Sequence, residues 1–581
     1  MVKSSVRAPE KFDPISLAVI WSRLVGIAEE CWVTLWRTAF SSIIGDTQDI
    51  ACELLDANGD SLAHSSRSMP AFNLCLPRVA REVLRTFHGQ DELAEGDAII
   101  TNDPWMCAGH LPDLALLTPV LRKGKLVGFI GSIAHCSDIG GSWDAPKAHE
   151  VYEEGLQIPL VKLYDRGRVN NAIVTIIRKN VRNADQVIGD IHAQLSANRV
   201  GMNRLERLMD EYGLEDLVEL AAAVQSRAEV AMRNAISEIP DGVYRNVVIA
   251  NALGRRLTLP VQVAVAGEQI TVDYEGAPDQ VEPGGVNSTL SYTEAHTMYG
   301  LKCLLTPRIL SNAGCYRPLS VNAPAGSVLN CNYPAPVSIR TYTGWLCEYA
   351  VIGALAPALP AKAQAHTGLA TAFGSFGRDG ARFFNDTFLM GGGQGSRAGH
   401  DGSGALIFPS SARTTSIEVF ELRTSLLIDC KELIANSGGA GEYRGGLGER
   451  MRLKKLRDDG EPVRFSFIVP QLDVQTEGLF GGLHGHGAAI RLATAAGLTE
   501  NDDLKGVAEL REAGDSLVFE TPGGSGFGSP KERDREALVQ DVASGYVSEA
   551  EARELYGWTE ALNSSAQELD AAPNQRSTTA S

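Results

Sequence analysis

The chain has 581 residues, enough for two to four domains with large cores. Its hydrophobic content of 44% and charged content of 21% are those of an ordinary globular protein. The formal net charge of −18 argues against a nucleic-acid or acidic-membrane partner, because such partners favour a basic protein surface.

The N-terminal segment has no apolar run of the secretory type, and no run of about 18 apolar residues predicts a membrane span. The 10 cysteines contain no Cys-x-x-Cys pair. We therefore expect a cytoplasmic location with reduced thiols. The first predicted element is a helix from Pro14 to about Thr38, because apolar residues recur at helical spacing. A hairpin with strands at 51–55 and 61–64 follows, then a second amphipathic helix at 76–87.

Residue types that bind metals follow two predicted strands, 97–101 and 126–134. His110 and Asp113 stand three apart in a segment whose glycine and proline predict a turn, and His135 follows the second strand. A turn can direct an imidazole and a carboxylate toward one point. His135 could then complete an open three-ligand site, which leaves positions for water or substrate. The alternative is that these are ordinary turn residues, with each histidine bonded to the backbone.

Further candidate catalytic residues surround this stretch. Asp103 and Asp138 could orient the two histidines by hydrogen bonds. Glu150 and Glu154 could act as acid or base groups near the metal, although solvated charge is the usual state of such a glutamate-rich run. Cys136 could be a nucleophile, but a buried free cysteine is the commoner case.

The middle of the chain changes from helical to strand-like patterns. Residues 173–236 are expected to be rich in helix. A change to alternating apolar residues predicts a small antiparallel β unit over 243–274, and helices are predicted at 293–305 and 345–359. Arg317, between these two helices, is a candidate to bind a carboxylate or phosphate of the substrate, with a structural ion pair as the alternative.

The last third is rich in glycine. A loop at 391–402 could approach a ligand closely, so Gly393 and Gln394 are candidate substrate-binding residues; a turn-rich connection is the alternative. This loop lacks the spacing of a Walker phosphate-binding loop, and no such loop occurs elsewhere in the sequence. Alternating apolar runs between the glycine clusters predict a β-rich domain, followed by short helices at 541–545 and 549–556.

These patterns predict a multidomain α+β fold. The predicted units are an N-terminal α+β domain with the metal site, an antiparallel β unit with helices, a β-rich domain with glycine corners, a pair of C-terminal helices and a disordered tail. In that order they span 13–239, 240–380, 381–530, 531–562 and 563–581.

Three motifs resemble those of one known family. They are Asn102-Asp103-Pro104, His110-Leu111-Pro112-Asp113 and His135-x-x-Asp138-Ile139-Gly140-Gly141. They are similar to the B-type subunits of ATP-dependent hydantoinases, a family that includes the second half of 5-oxoprolinase, the caprolactamase B subunit and the larger subunits of acetone and acetophenone carboxylases. In the acetone carboxylase branch, two histidines and one aspartate at this spacing bind manganese. The resemblance therefore implies metal ligation by His110, Asp113 and His135.

The resemblance also implies a divided reaction. An A-type partner subunit would bind ATP with magnesium and phosphorylate a carbonyl oxygen or bicarbonate, which fits the lack of an ATP-binding motif in this chain. This chain would supply a metal-lined chamber within a heterotetramer or a larger complex. The metal itself is left open, because manganese, zinc and iron all suit mixed nitrogen and oxygen ligands.

Three functions are compatible with this resemblance. The first is a subunit of an ATP-dependent hydrolase that opens a hydantoin, oxoproline or lactam ring. The length of the chain favours this function, because the acetone carboxylase subunits are longer. The second is a subunit of an ATP-dependent ketone carboxylase, and the third is a non-catalytic scaffold with a structural metal. The segment 142–148 departs from the hydantoinase pattern, so the resemblance does not fix hydantoin as the substrate.

Overall fold

The structure is a computed structural model that describes residues 12–87, 92–380 and 382–559. The predicted disordered tail at 563–581 lies outside these ranges. Helices and strands are mixed throughout and the strands form several sheets, which confirms the predicted multidomain α+β class. In the described ranges, no helix is both long enough and apolar enough to cross a membrane.

The elements are numbered in chain order. The helices are α1 (Pro14–Thr38), α2 (Ser42–Gly45), α3 (Pro70–Thr86), α4 (Val151–Glu154), α5 (Asn171–Asn180), α6 (Ala184–Glu211), α7 (Val218–Ser237), α8 (Leu290–Leu305), α9 (Ala313–Tyr316), α10 (Thr341–Gly344), α11 (Leu346–Leu355), α12 (Ile417–Arg423), α13 (Arg535–Ala543) and α14 (Glu549–Leu555). The strands are β1 (Ile50–Asp56), β2 (Ser61–His64), β3 (Ala98–Thr101), β4 (Asp113–Arg122), β5 (Lys125–His135), β6 (Val161–Asp165), β7 (Arg168–Val169), β8 (Gly242–Ala252), β9 (Arg255–Ala266), β10 (Gln269–Asp273), β11 (Leu319–Asn322), β12 (Thr371–Asp379), β13 (Arg382–Met390), β14 (Leu426–Leu433), β15 (Glu449–Lys455), β16 (Val463–Ile468), β17 (Ala489–Thr494), β18 (Gly497–Glu500), β19 (Val507–Leu510) and β20 (Ser516–Glu520).

A seven-stranded antiparallel sheet, in the order β2-β1-β5-β4-β3-β6-β7, forms the N-terminal part. Both of its faces are covered. On β4, Ala115 and Leu117 belong to one buried cluster, whereas Leu114 and Leu116 belong to another. This alternation follows from the two-residue period of a strand, and it explains why β4 reads as a continuous apolar run.

The first helix is confirmed and has a clear local cause. The Asp13 side chain accepts hydrogen bonds from the backbone N–H groups of Ile15 and Ser16, at 3.0 and 3.1 Å, and Pro14 occupies the first turn. Its buried face contains Leu17, Ile20, Trp21, Leu24, Ile27, Ala28, Cys31, Trp32 and Leu35.

The predicted β unit is confirmed as β8, β9 and β10, which pair antiparallel. Strand β11 extends this sheet by pairing parallel to β10, which the sequence pattern did not reveal. Helices α8 and α11 pack against each other, and α11 also packs on β8 and β9. The largest buried cluster extends from Leu17 to Ala370, so residues on both sides of 239 share it. The division of the chain into the predicted domains therefore stays a prediction.

Two antiparallel sheets build the β-rich part of the chain. Their orders are β13-β12-β16-β19 and β14-β15-β20-β17-β18. Phenylalanine side chains from both sheets fill a common core, in which the rings of Phe373 and Phe519 stack with centroids 4.9 Å apart.

Some boundaries differ from the expectations. Helix α3 begins at Pro70, six residues before the predicted start at position 76. The first C-terminal helix is α13, which begins near Asp534 rather than at 541, because the Asp534 side chain accepts a hydrogen bond from the N–H of Ala537 and so caps the helix. The second, α14, lies where it was predicted.

The glycine-rich segments of the last third pack backbone against backbone. The N–H of Gly393 donates to the carbonyl of Pro522, that of Gly446 donates to the carbonyl of Gln394, and that of Gly524 donates to the carbonyl of Gly446. A Cβ atom at Gly393 would stand 1.9 Å from the carbonyl oxygen of Gly446. Glycine is therefore required at these positions because other main-chain segments occupy the space of a side chain.

Replacing Gly393 by alanine is expected to destabilise the protein by more than about 3 kcal/mol, because the backbone neighbours of the added methyl group cannot move independently. Gly45→Ala is the control, since nothing lies within 4 Å of a Cβ at that position. Thermal unfolding of the two variants measures the difference. Equal unfolding midpoints would show that the glycine-rich core accommodates the added methyl group with little loss of stability.

Candidate metal centre and active site

The antiparallel pairing of β4 with β5 assembles the centre. Asp113 is the first residue of β4 and His135 is the last residue of β5, and the register places the two opposite each other. Side chains that face each other across two antiparallel strands have Cβ atoms about 4.5–5.5 Å apart, close enough to share one ligand. His110 lies in the turn that leads into β4.

The structure brings the three predicted metal ligands together. His135 Nδ1 lies 2.9 Å from Asp113 Oδ1, and His110 Nε2 lies 2.9 Å from Asp113 Oδ2. One ligand atom from each residue lies within 4.8 Å of the other two. Asp113 is fully buried and His110 is 6% exposed. Metal binding by these residues stays a prediction. The hydrogen bonds around them show whether they suit a metal ion.

The hydrogen bonds of His110 fit a bound cation. Its Nδ1 lies 3.3 Å from the carbonyl oxygen of Ser338, which can only accept, so Nδ1 carries the proton. Burial and the Arg340 guanidinium lower the pKa of His110 to about 4, so the ring is neutral near pH 7. The lone pair of Nε2 therefore faces the Asp113 carboxylate without making a hydrogen bond. Two acceptors this close repel each other unless a cation lies between them, so the donor set suits a divalent metal.

Asp113 is held in its ionised form. Burial alone would raise its pKa, but His110, His135 and Arg340 together keep the pKa of this carboxyl well below its usual range. Burial likewise lowers the pKa of His135, but the hydrogen bond to Asp113 and the charge of Asp49 outweigh it, and the pKa of His135 is raised. A carboxylate that stays ionised in a buried site is a competent metal ligand over the whole physiological pH range.

Arg340 is a component of the centre that the sequence did not point out. It donates to Asp113 Oδ2 at 2.9 Å and to the carbonyl of Ala108 at 2.6 Å. Its guanidinium carbon lies 4.3 Å from the centroid of the Tyr292 ring. Arg340 thus fixes the position of the Asp113 carboxylate.

The centre opens into a cavity of about 270 Å³ that includes both histidines in its lining. Six of the lining residues have a buried side-chain polar atom without a hydrogen-bond partner in the described part of the chain. They are Asp49, His110, Ser137, Glu154, His296 and Thr341. Buried polar groups are almost always paired, so this concentration of unpaired groups around one cavity marks a ligand-binding site.

Glu154 is a predicted catalytic residue that lines the cavity. Its Oε1 accepts hydrogen bonds from the backbone N–H groups of Val337 and Ser338, both at 2.8 Å, while Oε2 is buried and unpaired. Burial raises the pKa of Glu154 to about 8, despite these two hydrogen bonds. Glu150, in contrast, is exposed and caps helix α4.

The two predicted aspartates lie in different surroundings. Asp138 lines the cavity, but its carboxylate pairs with Arg182 at 2.9 Å and accepts from the N–H of Gly140 at 3.1 Å. Asp103 is not part of the cavity lining and accepts a hydrogen bond from the N–H of Trp105 at 2.9 Å. His110 instead donates its Nδ1–H to the carbonyl oxygen of Ser338. Catalytic roles for these two aspartates stay predictions.

The predicted substrate-binding residues are not part of the cavity lining. Arg317 donates to Gln225 at 2.7 Å and to Glu229 at 3.2 Å, and it lines two other clefts. Gly393 and Gln394 lie in the glycine-rich core described above. Their position there does not test whether they contact a substrate, and that role stays a prediction.

Replacing Glu154 by glutamine is expected to raise the thermal unfolding temperature by an amount that grows between about pH 5 and pH 8. In this range the unfolded carboxyl, with a pKa of about 4.3, loses its proton, whereas the folded one keeps it. Through this carboxyl, rising pH destabilises the wild type up to the folded pKa of about 8, and the glutamine variant lacks this contribution. Calorimetry across this pH range measures the effect, with the exposed Glu150→Gln as control. A pH-independent difference between Glu154→Gln and the wild type would contradict a buried, protonated Glu154.

The sequence of the chain matches one known protein family. A model of the family described as hydantoinase B/oxoprolinase matches residues 13–530. The chain belongs to the hydantoinase B/oxoprolinase family. The resemblance in the sequence motifs is therefore confirmed over nearly the whole described chain.

A relative of known character, caprolactamase, supports this assignment by sequence and by structure. The chain is 30% identical to caprolactamase subunit beta of Pseudomonas jessenii over 571 residues, which is 94% of this chain and 96% of that protein. The crystal structure of ATP-dependent caprolactamase from Pseudomonas jessenii superimposes with a TM-score of 0.84, at 28% identity, covering 97% of this chain and 100% of that chain. The nucleotide-free structure of acetone carboxylase also has a TM-score of 0.84, but at 18% identity it shows a shared fold alone; it covers 96% of this chain and 83% of that chain.

Proposed function

We propose that this chain is the B subunit of an ATP-dependent cyclic-amide hydrolase, which opens a hydantoin, 5-oxoproline or lactam ring. The observation that carries the proposal is the convergence of His110, Asp113 and His135, with both histidines lining a cavity, in a fold that matches ATP-dependent caprolactamase along its whole length. The volume of about 270 Å³ suits a small ring rather than a polymer.

The chemical problem is the stability of the amide. The nitrogen lone pair is delocalised into the carbonyl, so the carbon is a poor electrophile. An A-type partner subunit that binds ATP and magnesium phosphorylates the carbonyl oxygen and removes this delocalisation. His110, Asp113 and His135 would hold a manganese, zinc or iron ion, which would supply Lewis-acid chemistry in the cavity. Hydrolysis consumes water and needs no bicarbonate.

Glu154 handles the proton in this proposal. Its pKa of about 8 keeps it protonated near pH 7, and its unpaired Oε2 belongs to the cavity lining. When water has attacked the activated carbon and the C–N bond breaks, the ring nitrogen takes up one proton, which Glu154 can give. The backbone N–H groups of Val337 and Ser338 stabilise the carboxylate that remains. The acyl phosphate that remains is hydrolysed by a second water, which releases the carboxylic acid and inorganic phosphate.

A partner and a location complete the proposal. The caprolactamase relative is a beta subunit, so we infer an A-type partner and a heterotetramer or a larger complex. The cytoplasm is the proposed location, because all 10 cysteines of the chain are free and such thiols persist in a reducing compartment.

The test uses the purified complex of this chain with its A-type partner. We expect ring opening of hydantoin, 5-oxoproline or caprolactam together with ADP formation, and neither without ATP. A parallel reaction with labelled bicarbonate and acetone or acetophenone tests the ketone carboxylase alternative. Acid-stable label in the product, without hydrolysis of any of the three rings, would replace the hydrolase proposal by the carboxylase.

A further inference from the structure

A second buried pair of polar residues reaches the same cavity through His296. His296 on α8 and Glu348 on α11 are 3% and 0% exposed, and His296 Nδ1 makes a short hydrogen bond with Glu348 Oε1. The two helices approach closely at Gly300, where a Cβ atom would stand 2.8 Å from the Cα of Glu348. The close packing of α8 on α11 therefore fixes the relative position of the two side chains.

The other ring nitrogen of His296 is free to bind a ligand. Its Nε2 is buried and has no hydrogen-bond partner among the described residues, and His296 lines the cavity together with His110 and His135. The Tyr292 ring packs edge to face against the imidazole at 4.3 Å, and Arg340 covers Tyr292 in turn. The imidazole thus cannot rotate freely, and Nε2 keeps one direction.

The protonation states of His296 and Glu348 determine whether Nε2 donates or accepts a hydrogen bond. Burial lowers the pKa of His296 to about 3 and raises the pKa of Glu348 well above its usual range, so burial favours a pair without net charge. In that state the Glu348 carboxyl donates its proton to Nδ1, and Nε2 carries the hydrogen of the neutral imidazole. A neutral N–H in a buried site binds an acceptor such as a carbonyl oxygen.

We propose that His296 is a substrate-binding residue whose Nε2–H donates a hydrogen bond to a carbonyl oxygen of the cyclic amide, and that Glu348 is the positioning residue that fixes this orientation. This inference rests on the proposed function for the identity of the ligand. It assigns the cavity two sides: the predicted metal ligands His110 and His135 on one side, and a hydrogen-bond donor on α8 on the other.

The test compares three variants in the complex with the A-type partner, with hydantoin, 5-oxoproline and caprolactam as substrates. His296→Phe keeps an aromatic ring but removes the donor, and we expect KM for the ring substrate to rise about tenfold or more. Glu348→Gln can still donate to Nδ1, so it should stay within about twofold of the wild type. Glu348→Met cannot donate and should resemble His296→Phe. Metal content and KM for ATP should be unchanged in all three.

The outcomes separate this inference from the proposed function. If the complex hydrolyses a ring substrate and His296→Phe has the wild-type KM and kcat, the inference is wrong and the proposed function stands. The inference is also overturned if Glu348→Gln raises KM for the ring substrate as much as Glu348→Met does. If the wild-type complex hydrolyses none of the three rings, the proposed function fails. Calorimetric titration of the same rings then tests the inference. Binding that is weaker in His296→Phe than in the wild type supports it, and binding that is equal in the two or absent from both overturns it.

Discussion

Replacing His110 by alanine is expected to lower ATP-dependent ring opening by more than about 100-fold. Substitution of a residue that only supports a metal ligand usually lowers activity by at most about 100-fold, and His110 is itself a predicted ligand. The variant removes one of three donors and leaves the Asp113 carboxylate facing an open space. Because His110 is at the cavity wall and its ring donates only to the Ser338 carbonyl, the fold should persist. Turnover of the complex, together with circular dichroism of the variant, measures both effects.

His192→Ala is the matched control for this experiment. His192 is exposed on α6, outside the cavity lining, and its removal should leave turnover unchanged. Full turnover by a folded His110→Ala complex would instead favour the scaffold hypothesis, in which the centre has no catalytic part.

Replacing Asp113 by alanine is expected to destabilise the chain by about 3–5 kcal/mol in addition to abolishing metal binding. Asp113 is fully buried and pairs with Arg340, which is 5% exposed. The substitution leaves the guanidinium buried without a carboxylate, and an unpaired buried charge costs more than the pair itself contributes. The shift of the denaturant midpoint, at an unchanged slope, measures the loss.

Two further variants isolate the cause of this loss. Asp185→Ala breaks an exposed pair with Arg178 and should cost less than about 1 kcal/mol. Adding Arg340→Met to Asp113→Ala removes the stranded charge and should recover part of the stability. No recovery in the double variant would contradict the stranded charge as the cause.

The grouping of His110, Asp113 and His135 could be anticipated from the sequence because their positions are local. His110 and Asp113 are three residues apart and His135 follows an evident strand, so residue type and spacing suggested a site, and the family resemblance implied metal ligation there. What the sequence did not contain was the pairing of β4 with β5, which sets Asp113 opposite His135. Register depends on the whole sheet rather than on the residues it brings together.

The supporting residues could not be predicted for a related reason. Arg340 and Ser338 reach the centre from more than 200 residues away in the chain, and their local sequence is typical of a turn. Glu348 is a lone charged residue in the mostly apolar helix α11, whereas His296 lies among other polar residues of α8, so the sequence gives no sign that the two are partners. A polar residue within a strongly apolar helix is the one signal that could have drawn attention to Glu348.

The glycine-rich loop shows the opposite case. Gly393 and Gln394 were predicted to contact substrate because glycine permits close approach of a backbone. The close approach is real, but the neighbours are the backbones of Gly446 and Gly524, from distant segments of the same chain. Local composition indicates that something comes near a glycine and does not indicate whether it is a ligand or another strand.

Anomalous diffraction from crystals of the wild-type complex, combined with elemental analysis of the same preparation, tests the central claim most directly. We predict close to one divalent metal ion per chain, with a single anomalous peak within bonding distance of His110, Asp113 and His135. A hydrolytically active complex with no metal at this position, or with the ion bound elsewhere in the chain, would contradict it.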